Sequence, residues 1–248
     1  MNWLITSGGT KVKIDDVRHI GNMSSGRFGA QLAEAALRAG HHVTFLHAAH
    51  SERPDRGYFD LNDPASMDAV CAAFGDFAYK NLLTANFVPR KFTDFDDYAR
   101  KLEECLRRDQ PDVTILCAAV SDYGLAEGAA TEGKISSDMD NMTIQLARLP
   151  KLIGRVKKWC PTTRLVGFKL LVGAHKEERD TAAIKQFKAA QPDLVVVNDL
   201  GDIRKGKQIL WVYSDYTQVT EVASNVRITE ISADLAPTLV KMIQGGTP

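Results

Sequence analysis

Apolar residues along the chain fall into short continuous runs separated by stretches of helical period. Trp3–Thr6, His42–His47, Val113–Cys117, Leu165–Phe168 and Leu194–Val197 are apolar or β-branched on both faces. That is the pattern of strands covered on two sides in a parallel sheet. Between the first two runs, Phe28–Ala39 sets Phe28, Leu32, Ala35, Ala36 and Ala39 on one helical face, and Gly40 follows as a stop. Phe95–Leu106 predicts a second amphipathic helix, acidic at its start and basic by Arg107 and Arg108, as the helix dipole favours. Thr181–Ala190 predicts a third. In the tail, Gln208–Ser214 and Gln218–Glu221 predict an antiparallel pair, and Leu235–Ile243 a closing helix. Strand alternating with helix is the signature of an α/β fold: a Rossmann-like, doubly wound, mainly parallel sheet with helices on both faces, here with a C-terminal antiparallel extension. Residues 1–248 read as one domain. The least regular stretches, near 50–95, 122–145 and 198–208, are candidate flaps or substrate loops.

Composition narrows the class of function. The 248 residues are 44% hydrophobic and 25% charged, and 31 Lys+Arg balance 31 Asp+Glu. A net charge of zero gives no field for gripping nucleic acid or an anionic membrane surface. No apolar run approaches the ~20 residues of a membrane span. Cys71, Cys105, Cys117 and Cys160 lie far apart without a C-x-x-C pair, and no secretory leader is visible, so a cytoplasmic protein with reduced thiols is expected.

Five places could carry chemistry. Gly8-Gly9-Thr10 follows the first strand, and Gly21–Gly29 (GNMSSGRFG) leads into the first helix. Small residues let a backbone approach a ligand, and free N–H groups at a helix start attract phosphate or carboxylate. The same residues also suit a tight connection with Ser24 or Ser25 as N-cap. Neither a dinucleotide fingerprint nor a P-loop is present, and the second strand ends without the acidic residue that holds a ribose. Asp122 sits just past the VTILC strand, where ligands of open α/β sheets bind; an Asx-turn is the alternative. Lys134, on a Gly-flanked loop, can neutralise a phosphate or carboxylate, or simply be solvated. Phe168 and Lys169 end another strand, suited to a base and a phosphate unless Phe168 is core. Asn198 and Asp199 could hold a ribose or turn the chain. His47 and His50 lack a third ligand, so no metal centre is expected in the protein.

Taken in order, ITSGGT, IDDVRHIGNMSSGRFG, CAAVSDY, GKIS, LPKLI, VGFKLL and VVVNDL resemble the phosphopantothenoylcysteine synthetase family, also called phosphopantothenate–cysteine ligases. The resemblance runs from about residue 4 to residue 200. It implies a ligase joining 4′-phosphopantothenate to L-cysteine in coenzyme A biosynthesis, through an acyl-nucleotidylate formed with CTP, or with ATP as the alternative, and Mg²⁺ accompanying the triphosphate. It also implies a homodimer. The GFKLL run is more like free-standing members, so a stand-alone synthetase without the decarboxylase domain is expected. Asn22 matches the family's active-site asparagine and Lys134 the lysine at the carboxylate and α-phosphate. Gly9, Asp122, Phe168, Lys169 and the backbone of Pro150, Lys151, Leu152 and Ile153 match nucleotide contacts. Ser24, Ser25 and Gly26 would hold a phosphate of the substrate, with Asn198 and Asp199 also on the substrate side. One departure stands out: where fused bacterial members carry two triphosphate lysines, this chain has Gln186 and Ala190, with Lys185 and Lys188 nearby. An NAD(P)-dependent oxidoreductase and a non-enzymatic regulatory relative of the fold are the rival readings. Ala78–Arg90 bears on the dimer: its Tyr79, Leu82, Leu83, Phe87 and Val88 look too irregular for a core strand and need covering, by the chain's own sheet or by a partner, and the resemblance favours the partner.

Overall fold

The apolar runs assemble into one sheet. The computed structural model describes residues 1–55, 83, 85–126, 133–136, 138, 140–207, 209–218 and 224–246. In chain order the elements are β1 (Asn2–Ser7), β2 (Lys11–Lys13), β3 (His19–Gly21), α1 (Arg27–Arg38), β4 (His42–Ala48), β5 (Phe87–Phe92), α2 (Phe95–Asp109), β6 (Val113–Leu116), β7 (Tyr123–Leu125) and β8 (Leu146–Arg148). Then follow α3 (Ile153–Trp159), β9 (Arg164–Leu171), α4 (Lys176–Ala190), β10 (Leu194–Asp199), α5 (Leu200–Arg204), β11 (Leu210–Gln218), β12 (Ser224–Ile231) and α6 (Leu235–Ile243).

The main sheet has the order β12-β11-β10-β9-β6-β1-β4-β5, and two short ribbons, β2–β3 and β7–β8, stand apart from it. Strands β5, β4, β1, β6, β9 and β10 run parallel, and β11 and β12 close one side antiparallel. The expected doubly wound sheet with an antiparallel end is therefore present. The chain leaves β1 toward β4 and β5, then returns to β6 on the other side. That reversal makes a switch point, and in open α/β sheets the ligand crevice lies at such a point, here outside the carboxyl ends of β1 and β6.

Both faces are covered. Ile5, Phe45, Ile115 and Val196 pack under Leu32 and Ala36 of α1 and Leu239 and Ile243 of α6. On the opposite face, Leu4, Leu46 and Leu165 meet Tyr98 and Leu102 of α2 and Val156 of α3, while Val195 and Val197 meet Phe187 of α4. Helix α2 begins where Asp94 accepts the Asp97 N–H at 2.9 Å and ends with Arg107 and Arg108. Among the described residues no helix is long and apolar enough to cross a membrane. Cys105, Cys117 and Cys160 are free thiols; Cys71 lies outside the described residues.

Four expectations need correction. Phe87–Phe92 is a strand, paired parallel to β4 at the sheet edge. Pro89 hides it from a pattern search, yet an edge tolerates a missing N–H. Leu83 and Phe87 pack against the chain's own core, so they do not form the exposed patch assumed for a partner; Tyr79 and Leu82 lie outside the described residues. The strand that pairs with β11 is Ser224–Ile231; of the expected Gln218–Glu221, Gln218 ends β11 and the rest lies outside the described residues. Helix α4 starts at Lys176, five residues before Thr181, because the Glu178 carboxylate accepts the His175 N–H at 2.9 Å and caps a wholly polar first turn.

Candidate functional site

The first turn of α1 rests directly on the end of β1. Ser7 is buried and its hydroxyl donates to the Gly26 carbonyl at 2.9 Å. Gly26 is the N-cap, with φ 79° and no side-chain cap, which corrects the assignment of that role to Ser24 or Ser25. A Cβ at Gly26 would lie 2.7 Å from the Ser51 Cβ and 2.9 Å from the Ser7 hydroxyl. Only glycine combines that left-handed backbone with so close an approach. Ser25 is exposed, and its hydroxyl accepts the Arg27 N–H at 3.2 Å. Ser24 is half-buried and donates its N–H to the Asn22 carbonyl at 2.9 Å.

Two loops are sewn together across the switch point. The Ala119 N–H donates to the Gly8 carbonyl at 2.8 Å and the Thr10 N–H to the Ala119 carbonyl at 3.2 Å. Thr10 and Ser121 add two bonds, through their hydroxyls at 3.0 Å and from the Ser121 N–H to Thr10 Oγ1 at 2.8 Å. Asn22 joins them, its Nδ2 donating to the Ala119 carbonyl at 2.7 Å. A Cβ on Gly9 would stand 3.0 Å from the Asn22 carbonyl oxygen, so Gly9 gives Asn22 its place. The exposed Asn22 amide keeps one N–H and its Oδ1 without a partner among the described residues.

Further along the rim, Asp122 is exposed and ion-paired with Lys151, and its carbonyl accepts the Leu149 N–H at 2.8 Å. Pro150 is exposed, but Leu152 is buried and Ile153 half-buried in the α2–α3 core, so Leu152 can meet a ligand only through its backbone. Phe168 is half-buried and stands edge-on to Phe28 of α1 at 5.9 Å, while Lys169 is exposed. Asp199 is taken up by the backbone: its buried carboxylate accepts N–H groups of Gly173 at 3.0 Å, Ala174 at 2.8 Å and Gly201 at 2.7 Å. Burial pushes that carboxyl upward, but these donors hold it below the usual carboxylate range. Asn198, beside it on β10, is half-buried.

Lys134 is exposed, and among the described residues its ammonium has neither an ion pair nor a hydrogen bond. Its loop is tied to the 15–18 turn at the tip of the β2–β3 ribbon, where the Gly133 N–H donates to Asp16 at 3.0 Å and the Ile135 N–H to Asp15 at 3.1 Å. Asn22 leaves the other end of that ribbon, past the Lys11↔Gly21 pair. Three residue pairs span about 7–10 Å, so the two candidate catalytic residues stand at opposite ends of one ribbon. Lys185 and Lys188 are exposed on the outer side of α4; Gln186 turns inward, its amide occupying the space a Cβ on Gly167 would need. His47 is buried with Nδ1 2.8 Å from the Ala48 carbonyl. The sequence put Thr10 beside Gly8-Gly9 and Ser121 beside Asp122 without pairing them, and gave Asp15 and Arg18 no role. The IDDVR run was in view, but its carboxylates gave no sign of reaching a loop more than 100 residues away.

The family described as the DNA/pantothenate metabolism flavoprotein C-terminal domain matches residues 1–81 and 97–242. The chain belongs to this family. Human phosphopantothenate–cysteine ligase is 33% identical over an alignment covering 79% of this chain and 71% of that protein. The coenzyme A biosynthesis bifunctional protein CoaBC of Thermococcus kodakarensis is 32% identical over 79% of this chain, and the chain spans 41% of that protein's length. Among solved structures, the DNA/pantothenate metabolism flavoprotein from Streptococcus pneumoniae superposes with a TM-score of 0.71 at 26% identity, covering 99% of each chain. A Cab2 variant in complex with phosphopantothenate-cysteine superposes at 0.75 with 21% identity, covering 98% of this chain and 85% of that one, a likeness of fold.

Proposed function

We propose that the chain is a phosphopantothenate–cysteine ligase of coenzyme A biosynthesis. The observation that carries this reading is the family match together with an asparagine, Asn22, fixed by Gly9 and Ala119 at the switch-point crevice. In the proposed reaction a carboxylate oxygen of 4′-phosphopantothenate attacks the α-phosphorus of a nucleoside triphosphate. The bond to the bridging oxygen breaks and pyrophosphate leaves. The free amine of L-cysteine then attacks the acyl carbon, the C–O bond to the nucleotide breaks, and nucleoside monophosphate departs as the amine's proton passes to solvent. Neither step needs a protein nucleophile, so positioning and charge stabilisation must supply the acceleration.

Asn22 offers an uncharged N–H donor to the developing oxyanion, and Lys134 a cation opposite the carboxylate and α-phosphate. The uncapped start of α1 at Ser24–Gly26 suits a substrate phosphate. Phe168, Lys169, Asp122 and the Pro150–Ile153 backbone are assigned to the nucleotide. CTP is the proposed donor and ATP the alternative. Mg²⁺ enters with the triphosphate, which supplies its oxygens; Asp15, Asp16 and Asp199 are occupied by backbone N–H groups.

The reading extends to a cytoplasmic homodimer. The ribbons expose Ile20, Tyr123 and Leu146, and the loop after β3 exposes Met23 at 96%; an isologous contact would cover them. Sedimentation equilibrium at micromolar concentration checks this; a concentration-independent mass near 27.3 kDa rules the dimer out. The activity itself is tested by pyrophosphate release with phosphopantothenate, cysteine and each nucleoside triphosphate in turn. Release dependent on phosphopantothenate is expected with at least one nucleotide, and its absence with all of them sinks the proposal.

A further inference from the structure

The turn at the tip of the β2–β3 ribbon carries a carboxylate that the proposed chemistry does not use. Asp15 is 1% exposed. Its Oδ1 closes the turn by accepting N–H groups of Val17 at 2.9 Å and Arg18 at 2.6 Å. Its Oδ2 accepts the Ile135 N–H at 3.1 Å and Arg18 Nη1 at 3.0 Å. Arg18 Nη1 also donates to the Ile135 carbonyl at 3.4 Å. Asp16 completes the arrangement: its Oδ2 accepts the Gly133 N–H at 3.0 Å, and its own N–H donates to the Gly133 carbonyl at 3.0 Å.

The two residues flanking Lys134 are thus held on both their N–H and C=O groups by one turn, while the Lys134 side chain itself is left exposed. A solvated surface lysine needs no such grip. Burying a carboxylate is costly unless donors surround it, and here the donors come from both segments, so the carboxylate fixes one against the other. Burial pushes the Asp15 carboxyl up, but the N–H groups of Val17, Ile135 and Arg18 and the Arg18 guanidinium hold it below the usual range, so it is ionised at neutral pH.

We propose that Asp15 is the positioning residue for Lys134: through the Gly133–Ile135 backbone it sets where the lysine's ammonium stands in the crevice, and it touches no substrate. The inference rests on Lys134 as the cation facing the carboxylate and α-phosphate. Neutralising the clamp leaves a single acceptor oxygen for donors on two sides, and an NH₂ group then opposes an N–H. A displacement of about 1 Å at a reacting group costs up to ~10² in rate.

The test is a cycle of Lys134→Gln, Asp15→Asn and the double variant, followed by pyrophosphate release without cysteine. Lys134→Gln should slow release by about 10²–10³. Asp15→Asn should slow it by about 10–10² alone and by less than about threefold in the Lys134→Gln background, since it acts only through that side chain. Full activity of Lys134→Gln overturns the assignment of Lys134 and the clamp with it. An impaired Lys134→Gln with a fully active Asp15→Asn, or with an Asp15 effect equal in both backgrounds, overturns the clamp alone. Should Asp15→Asn fail to fold, Asp16→Ala serves, because that side chain is more than half exposed. It should slow release several-fold in the parent and leave Lys134→Gln unchanged; an equal factor in both overturns the proposal.

Discussion

The main sheet and the ribbons at its carboxyl edge are built by opposite means. Strand β4 alternates into two apolar layers, with Val43, Phe45 and Leu46 fully buried, and the helices that cover it are held by apolar area. Strands β3 and β8 are exposed along their whole length. They are held by polar contacts from distant segments: Asp15 and Asp16 to the Lys134 loop, Thr10 to Ser121, and Asp122 to Lys151. Apolar burial is large and non-directional, whereas hydrogen bonds are modest in net energy but exact in geometry. The difference teaches that stability and chemistry are separable here: the layers hold the fold, and the ribbons aim the groups.

That separation can be broken experimentally. The largest effect is expected in the layers. Phe45→Ala removes a fully buried ring packed 5.8 Å from Phe87, and the urea midpoint should fall by the equivalent of about 3–5 kcal/mol. A loss below 1 kcal/mol would show that the layer does not carry the stability. Asn22→Asp exchanges the Nδ2 donor to the Ala119 carbonyl for an acceptor at an exposed site, so the urea midpoint should fall by the equivalent of about 1 kcal/mol. Nucleotide should still bind, yet amide formation should drop by about 10²–10³, because a carboxylate repels the developing oxyanion. Near-normal turnover would remove Asn22 from the mechanism.

A smaller effect follows from His41, which stacks on Trp3 at 4.9 Å with Nε2 2.6 Å from Gln244 Nε2. Burial and the N-terminal amine lower its pKa from 6.5. The unfolded chain therefore binds a proton that the folded one refuses, and stability should fall as pH drops below 6.5 while staying flat above it. His41→Phe should flatten this slope between pH 6.5 and 5; an unchanged slope would assign it to other groups. The smallest effect belongs to a ribbon ion pair. Lys151→Ala breaks the exposed contact with Asp122 and should change stability by less than about 1 kcal/mol. A larger loss would mean that the ribbons do stabilise the fold.

Much of the layer architecture was legible because its signal is local. Leu235–Ile243 was placed residue for residue, and the α1 boundaries were off by one. Strand β5 escaped because an edge strand need not alternate, and the start of α4 because its first turn has no apolar face. At the site, the sequence offered Asn22, Lys134, Asp122 and Phe168 as separate candidates. Nothing local could say that Asp199 would be consumed by three N–H groups, or that Leu83 and Phe87 would turn onto their own core.

The sequence by itself determined the doubly wound class, the switch-point crevice and the residue types that reach it, since periodicity and glycine placement act through nearest neighbours along the chain. Only the tertiary structure decided that Asn22 docks on Ala119 and that Asp15 holds Ile135. Those bonds join segments about a hundred residues apart, and their partners are fixed by how the sheet brings loop ends together, which no local pattern encodes.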